Sequence, residues 1–301
     1  MTSGSIAAQS AVRRWQMDDV TFTYVVDGAM WLAADKFLKA VPRDYWDDHP
    51  DQIGPHGFVA MSTGGLLVQS PRATLLIDAG MGPTVGESPL GRTDCGELLT
   101  TLARLGVERD AIDVCALTHL HVDHAGWLFI QDAQGSRQPT FPRARYIVAE
   151  AEWAPLSRGE RPLGAADRES VLEPLGRHDD LGLIADGDEI APGVRALVTP
   201  GHSAGHTSYV ITSAAGNRLV AFGDAFHAPA QLDHPEWGSA PDTMPATVPT
   251  ARARLLDELC RPGTFGFAIH FGDQAFGQVV RDAGTTRWQP VATDILFDPP
   301  R

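Results

Sequence analysis

Short apolar runs, each broken within a few positions by turn residues, set the rhythm of this chain. Residues 20–26, 58–61, 66–69 and 74–78 gather β-branched, aromatic and leucine side chains between Gly, Asp and Pro, and so predict strands. Thr93 and Asp94 then offer N-caps to a helix. Its Leu98, Leu99, Leu102 and Leu105 recur at helical spacing, and Gly106 can stop it. Residues 113–118 read as a buried strand and 145–148 as another. Residues 194–199, 208–212, 219–222 and 265–269 are further strand candidates, and 251–260 is a helix. Strands separated into groups by helices predict a layered α/β architecture. Residues 155–192 and 227–248 are rich in Pro, Gly and charge and read as long surface loops, which often carry function. Residues 1–15 read as a flexible polar tail, which leaves 16–301 as a single domain.

Composition narrows the picture without changing it. The 301 residues carry a formal charge of −14 and no cluster of Lys or Arg, which disfavours nucleic-acid and membrane partners. Residues 1–20 lack an apolar stretch of signal-peptide length, and no later run is long enough to span a bilayer. Cys95, Cys115 and Cys260 are too few and too scattered for a disulfide framework, and Cys115, inside an apolar run, reads as core. A reducing cytoplasm is the simplest expectation.

One stretch stands apart: Thr118-His119-Leu120-His121-Val122-Asp123-His124, directly after an apolar strand. In a tight turn residues i and i+2 can point the same way, so His119 and His121 can bind one ion. Asp123 and His124 face the next position over and can bind a second. Imidazole nitrogen and carboxylate oxygen are normal zinc donors. Three more residues follow strands in the same manner. His202 lies in the glycine-rich Thr199-Pro200-Gly201-His202-Ser203-Ala204-Gly205-His206, Asp224 follows Gly223, and His270 ends the run 266–269. Each alone is an ordinary loop residue. Together they supply donors for one open two-metal site of hydrolytic type, and no thiolates are present to close a structural one.

In these residues the chain resembles the metallo-β-lactamase superfamily. The family pattern His-x-His-x-Asp-His, then Gly-His, then Asp, then a last His, occurs here in order from 119 to 270, and an earlier strand-ending Asp matches Asp78. The resemblance implies an αββα four-layer sandwich with two divalent ions at one edge. These are zinc in first place, with Mn, Fe or Co accepted by the same donors. It implies a first ion on His119, His121 and His202, and a second on Asp123, His124 and His270, with Asp224 bridging. Asp78 would hold the metal loop by hydrogen bonds, and His206 would be structural.

Within the family, the strand leading to Gly223-Asp224, the stretch from Gly201 to Tyr209 and the long spacer before His202 resemble the branch of N-acyl-homoserine lactonases and methyl-parathion-type hydrolases. That implies hydrolysis of a carboxylic ester or lactone by attack of a metal-bridging hydroxide, with Asp123 accepting the nucleophile's proton. An organophosphate triester hydrolase, a thioesterase and a non-catalytic metal-binding scaffold are the alternatives. Lactonases of this branch place a tyrosine three residues after the bridging Asp. Here that position is His227, which would act as hydrogen-bond donor in its place. The expected partner is a small-molecule substrate, and a homodimer is left open. Aromatics near the site, among them Tyr45, Trp46, Trp127, Phe129 and Trp237, are candidates to line the pocket.

Overall fold

Alternation along the central strands sorts the core into layers. In the computed structural model, which describes residues 4–299, the strands Thr74–Ile77, Val114–Ala116 and Arg145–Ala149 lie parallel, with Leu76, Cys115 and Tyr146 in register. These three side chains turn to one face of their sheet. There they meet Leu98 and Leu102 of the helix Leu98–Arg104 and Leu156 of the helix Glu150–Ser157. Their neighbours Leu75, Ile77, Val114, Ala116 and Ile147 turn to the other face, against Tyr209, Ile211, Leu219 and Phe267 of a second sheet. The outer face of that second sheet, through Leu197, Val210 and Val220, is covered by Leu255, Leu256 and Leu259 of the helix Val248–Leu259. Helix, sheet, sheet and helix therefore stack as the αββα sandwich that the sequence predicts. Cys115 is fully buried, as expected.

The first sheet runs, edge to edge, Leu181–Ile184, Arg145–Ala149, Val114–Ala116, Thr74–Ile77, Phe58–Gln69, Val20–Ala33, Val12–Met17 and Asp294–Phe297. The hairpin of Thr84–Ser88 and Gly91–Cys95 is added on Val20–Ala33. The second runs Glu189–Ala191, Val194–Val198, Thr207–Thr212, Arg218–Ala221, Thr264–Phe267, Phe276–Asp282 and Thr285–Pro290. Two buried tyrosines tie the sheets together just below one edge. Tyr24 Oη donates to Ile269 O at 3.0 Å and Tyr209 Oη to Leu117 O at 2.8 Å.

Several expectations are corrected. The tail does not reach residue 15: Val12–Met17 is a strand paired on both sides, and Arg13 is buried against Asp273 at 2.5 Å. Residues 1–3 lie outside the described residues. Thr93 and Asp94 cap no helix, because they belong to the strand Gly91–Cys95, and Glu97 precedes the helix instead. The two runs at 58–61 and 66–69 are one strand, Phe58–Gln69. The Gly64-Gly65 pair inside it interrupts hydrophobicity but not pairing. A Cβ on Gly65 would sit 2.2 Å from Asp78 O, so the gap in side chains lets the neighbouring strand end close by. Residues 155–192 are not a continuous loop. They hold the helical turns Arg168–Leu172 and Glu173–Gly176 and the strands Leu181–Ile184 and Glu189–Ala191, anchored by Val171, Leu172 and Leu175.

Candidate metal centre

Each predicted ligand follows a buried strand, and all these strand ends meet at one edge of the sandwich. Ile77 leads to Asp78, Ala116 to the 118–124 loop, Val198 to His202, Ala221 to Asp224 and Phe267 to His270. Strand ends are where backbone can turn out of the ladder while its start stays fixed by the core, so side chains there are held with little freedom. Asp78 itself adopts φ +63°, a left-handed conformation that Asp tolerates better than most residues. That turn lets its carboxylate accept from Thr118 N at 2.8 Å and from Thr118 Oγ1 at 2.9 Å.

Asp224 sits at the centre. Its Oδ1 lies 3.1 Å from both His124 Nε2 and His270 Nε2, while Oδ2 lies 3.2 Å from His202 Nε2 and 3.8 Å from His119 Nε2. His121 Nδ1 is 2.9 Å from His202 Nε2. Asp123 Oδ2 is 3.5 Å from His124 Nε2 and 3.6 Å from His270 Nε2. The donors thus divide into two groups, each with its ligand atoms within 4.8 Å of one another. One is His119, His121, His202 and Asp224; the other is Asp123, His124, Asp224 and His270. His119 Nε2, His124 Nε2 and Asp224 Oδ1 are buried without a hydrogen-bond partner among the described residues. Buried polar atoms left unmatched are costly, and three of them converging with inward-facing lone pairs fit metal ions.

The outward nitrogen of most of these rings is occupied, which fixes the ring and its tautomer. His119 Nδ1 lies 3.0 Å from Thr118 Oγ1, His124 Nδ1 2.9 Å from Asp78 Oδ2, and His202 Nδ1 2.9 Å from Asp242 Oδ1. His270 Nδ1 donates to Ser62 O at 3.0 Å, which leaves Nε2 as the lone-pair nitrogen. His206 is turned elsewhere. Its Nε2 accepts from Asp224 N at 3.0 Å and its Nδ1 meets Thr199 Oγ1 at 2.9 Å, so it holds the backbone of Asp224 and offers no nitrogen to an ion.

Burial, reinforced by neighbouring imidazoles, holds His119 well below the ordinary imidazole pKa and lowers His121 and His206 to about 3. These rings are neutral, the form that binds metal. Burial also pushes His124 and His270 down, but the carboxylates of Asp224 and Asp123 outweigh it and raise both. Burial pushes Asp224 and Asp123 up, and the facing histidines overcome it and hold both carboxyls below the usual range.

His227 faces inward and is buried, with Nε2 3.0 Å from Asp224 Oδ2 and its ring 5.2 Å from that of Phe37. Trp127 and Phe129 line a cavity of about 670 Å³ together with Val122, Gly126, Arg137 and Asp167, and none of the clustered donors lines it. Tyr45, Trp46 and Trp237 pack on one another, and Phe226 lies in the outer core of the second sheet. Sequence reasoning missed Asp242. It lies 40 residues from His202 in an irregular segment, and no spacing signals it.

Comparison with known proteins agrees with this fold. The metallo-beta-lactamase superfamily model matches residues 65–274. An N-acyl homoserine lactonase of Bacillus cereus is 28% identical over 159 residues, which is 48% of this chain and 56% of that protein, so the match spans little more than half of the relative's length. Among solved structures, AbOPH, a hydrolase in the beta lactamase superfamily, superposes with a TM-score of 0.77 at 24% identity, covering 94% of this chain and 98% of the other. AidC, a dizinc quorum-quenching lactonase solved with a product, N-hexnoyl-L-homoserine, gives 0.75 at 21% over the same shares. At these identities the structural likeness carries the fold.

Proposed function

The chain belongs to the metallo-β-lactamase superfamily, and on that basis we propose that it is a two-metal hydrolase of neutral carboxylic esters or lactones that carry an apolar part. The carrying observation is the shared carboxylate of Asp224, with one oxygen toward each group of donors. His119, His121 and His202 would hold one ion, Asp123, His124 and His270 the other, and Asp224 both. Zinc suits the donor set, and Mn, Fe or Co are accepted by it. Bound there, two divalent ions make water nucleophilic at neutral pH and polarise the oxygen of the bond to be cleaved.

The chain's own residues do the rest. Asp123 stays ionised beside the donors of the second group and can accept the proton of the attacking water at a carboxylate oxygen, then pass it to the leaving group. Burial lowers the pKa of His227 against the pull of Asp224 and favours the neutral ring, which has a single N–H. Placed on Nε2, that N–H can be shared between Asp224 Oδ2 and an incoming substrate oxygen. The walls formed by Val122, Trp127, Phe129 and Val171 suit an apolar substituent, and the net charge of −14 disfavours polyanions. The test is kcat/KM across matched lactone, aryl ester, thioester, β-lactam and phosphotriester panels. Lactone or ester should lead, and His227→Ala should lower kcat with metal content unchanged. Preference for any other class by more than about tenfold, or about 1.4 kcal/mol, would overturn the substrate assignment.

A further inference from the structure

Four buried carboxylates outside the ligand set lie near the centre or its supports: Asp27, Asp78, Asp242 and Glu152. Asp78 serves the 118–124 loop alone and Asp242 the ring of His202, while Asp27 joins Met81, Gly82, Leu98 and Trp127, none of them between two metal donors. Glu152 differs, because its partners come from two separate ligand loops. Its Oε1 accepts from Leu120 N at 3.0 Å, between His119 and His121. Its Oε2 accepts from Ser203 Oγ at 2.7 Å and Gly205 N at 2.9 Å, on the loop of His202. From these contacts we infer that Glu152 is a positioning residue for one ion only, the one assigned to His119, His121 and His202; this rests on the two-metal reading above.

The chemistry of the three bonds requires a carboxylate. All the donors are N–H or O–H, and only an ionised acid can accept at both ends without presenting a hydrogen of its own. A buried carboxylate is expensive unless it is multiply bonded. Glu152 is buried, and among the described residues its side chain accepts from these three donors, none of them a cation. The contact is close: a Cβ on Gly205 would lie 2.1 Å from Glu152 N, so the first turn of the helix Glu150–Ser157 is pressed onto the His202 loop. By contrast, His124 and His270 are oriented by Asp78 and by Ser62 O, which Glu152 does not touch. Glu152 thus fixes the distance between His202 and the His119/His121 pair, while the second group keeps its own supports.

The inference predicts unequal damage to the two sites. Cobalt(II) affinities are measured by chelator competition on the full chain, with visible spectra of His121→Ala and His270→Ala identifying each site. Glu152→Gln sets an amide N–H against a backbone N–H on one of the two loops. It should weaken the His119–His121–His202 site by about 10- to 100-fold and leave the other within about threefold. Ser203→Ala removes one of the three bonds and should give a smaller loss at the same site. It also decides the matter if Glu152→Gln does not fold by circular dichroism. Equal weakening of both sites, or unchanged affinity at both, would overturn the role of Glu152 while leaving a two-ion centre standing. A wild-type protein that binds fewer than two ions would overturn both.

Discussion

Asp224 stands among the nitrogens of four donor imidazoles at 3.1 to 3.8 Å, two facing each of its oxygens, with His227 Nε2 also 3.0 Å from Oδ2, and among the described residues it alone belongs to both groups of donors. Asp224→Ala should therefore loosen metal at both positions and lower kcat/KM by at least about a hundredfold, about 2.7 kcal/mol of transition-state stabilisation. His206→Ala is the informative contrast. It leaves the N–H of Asp224 unpaired in the interior, so a denaturant melt should show a loss of about 1–3 kcal/mol with metal content nearly unchanged. Equal metal loss in the two variants would mean that His206 is a ligand. That these donors would gather was legible in the sequence because each follows an apolar run, where a polar residue has a reason to be. Asp242 and Glu152 were not legible. Each is one acidic residue in a chain rich in them, and the partners it holds on the loops of the site lie 32 to 53 residues away, across a fold that local pattern does not encode.

The same limit appears among the elements. Strands such as Val114–Ala116 and Arg145–Ala149 are apolar on both faces and identify themselves. The strand Val12–Met17 carries two arginines, and its place depends on Val20–Ala33 and on the distant Asp294–Phe297. What fixes it is Arg13, which meets Asp273, three residues past His270, with two nitrogens and Thr293 with a third. Arg13→Ala should cost about 3 kcal/mol in a urea melt, because it strands a partly buried carboxylate. A change below about 0.5 kcal/mol, the range of ordinary surface substitutions, would return these residues to the status of a tail. The mistaken caps at Thr93 and Asp94 have a related cause. Both are good cap residues, but pairing with Ala29 and Met30 keeps them extended, and tertiary contact overrides the local signal.

For the whole molecule, two sheets and two helical layers bring residues 78 to 270 together at one edge, with core tyrosines bracing the strand ends beneath. The layered class was readable from the spacing of strands and helices, and the sheet order came only with the structure, since it depends on non-local pairing. A metallo-β-lactamase fold can in principle serve without metal, so the central claim rests on the donors being occupied by two ions. The most direct measurement is anomalous diffraction at the metal edge from crystals of protein purified without chelator. Two peaks about 3.5–4 Å apart, one beside His119, His121 and His202, the other beside Asp123, His124 and His270, with Asp224 between them, are the predicted result. A single peak, none, or density on His206 or His227 in place of those ligands would contradict it.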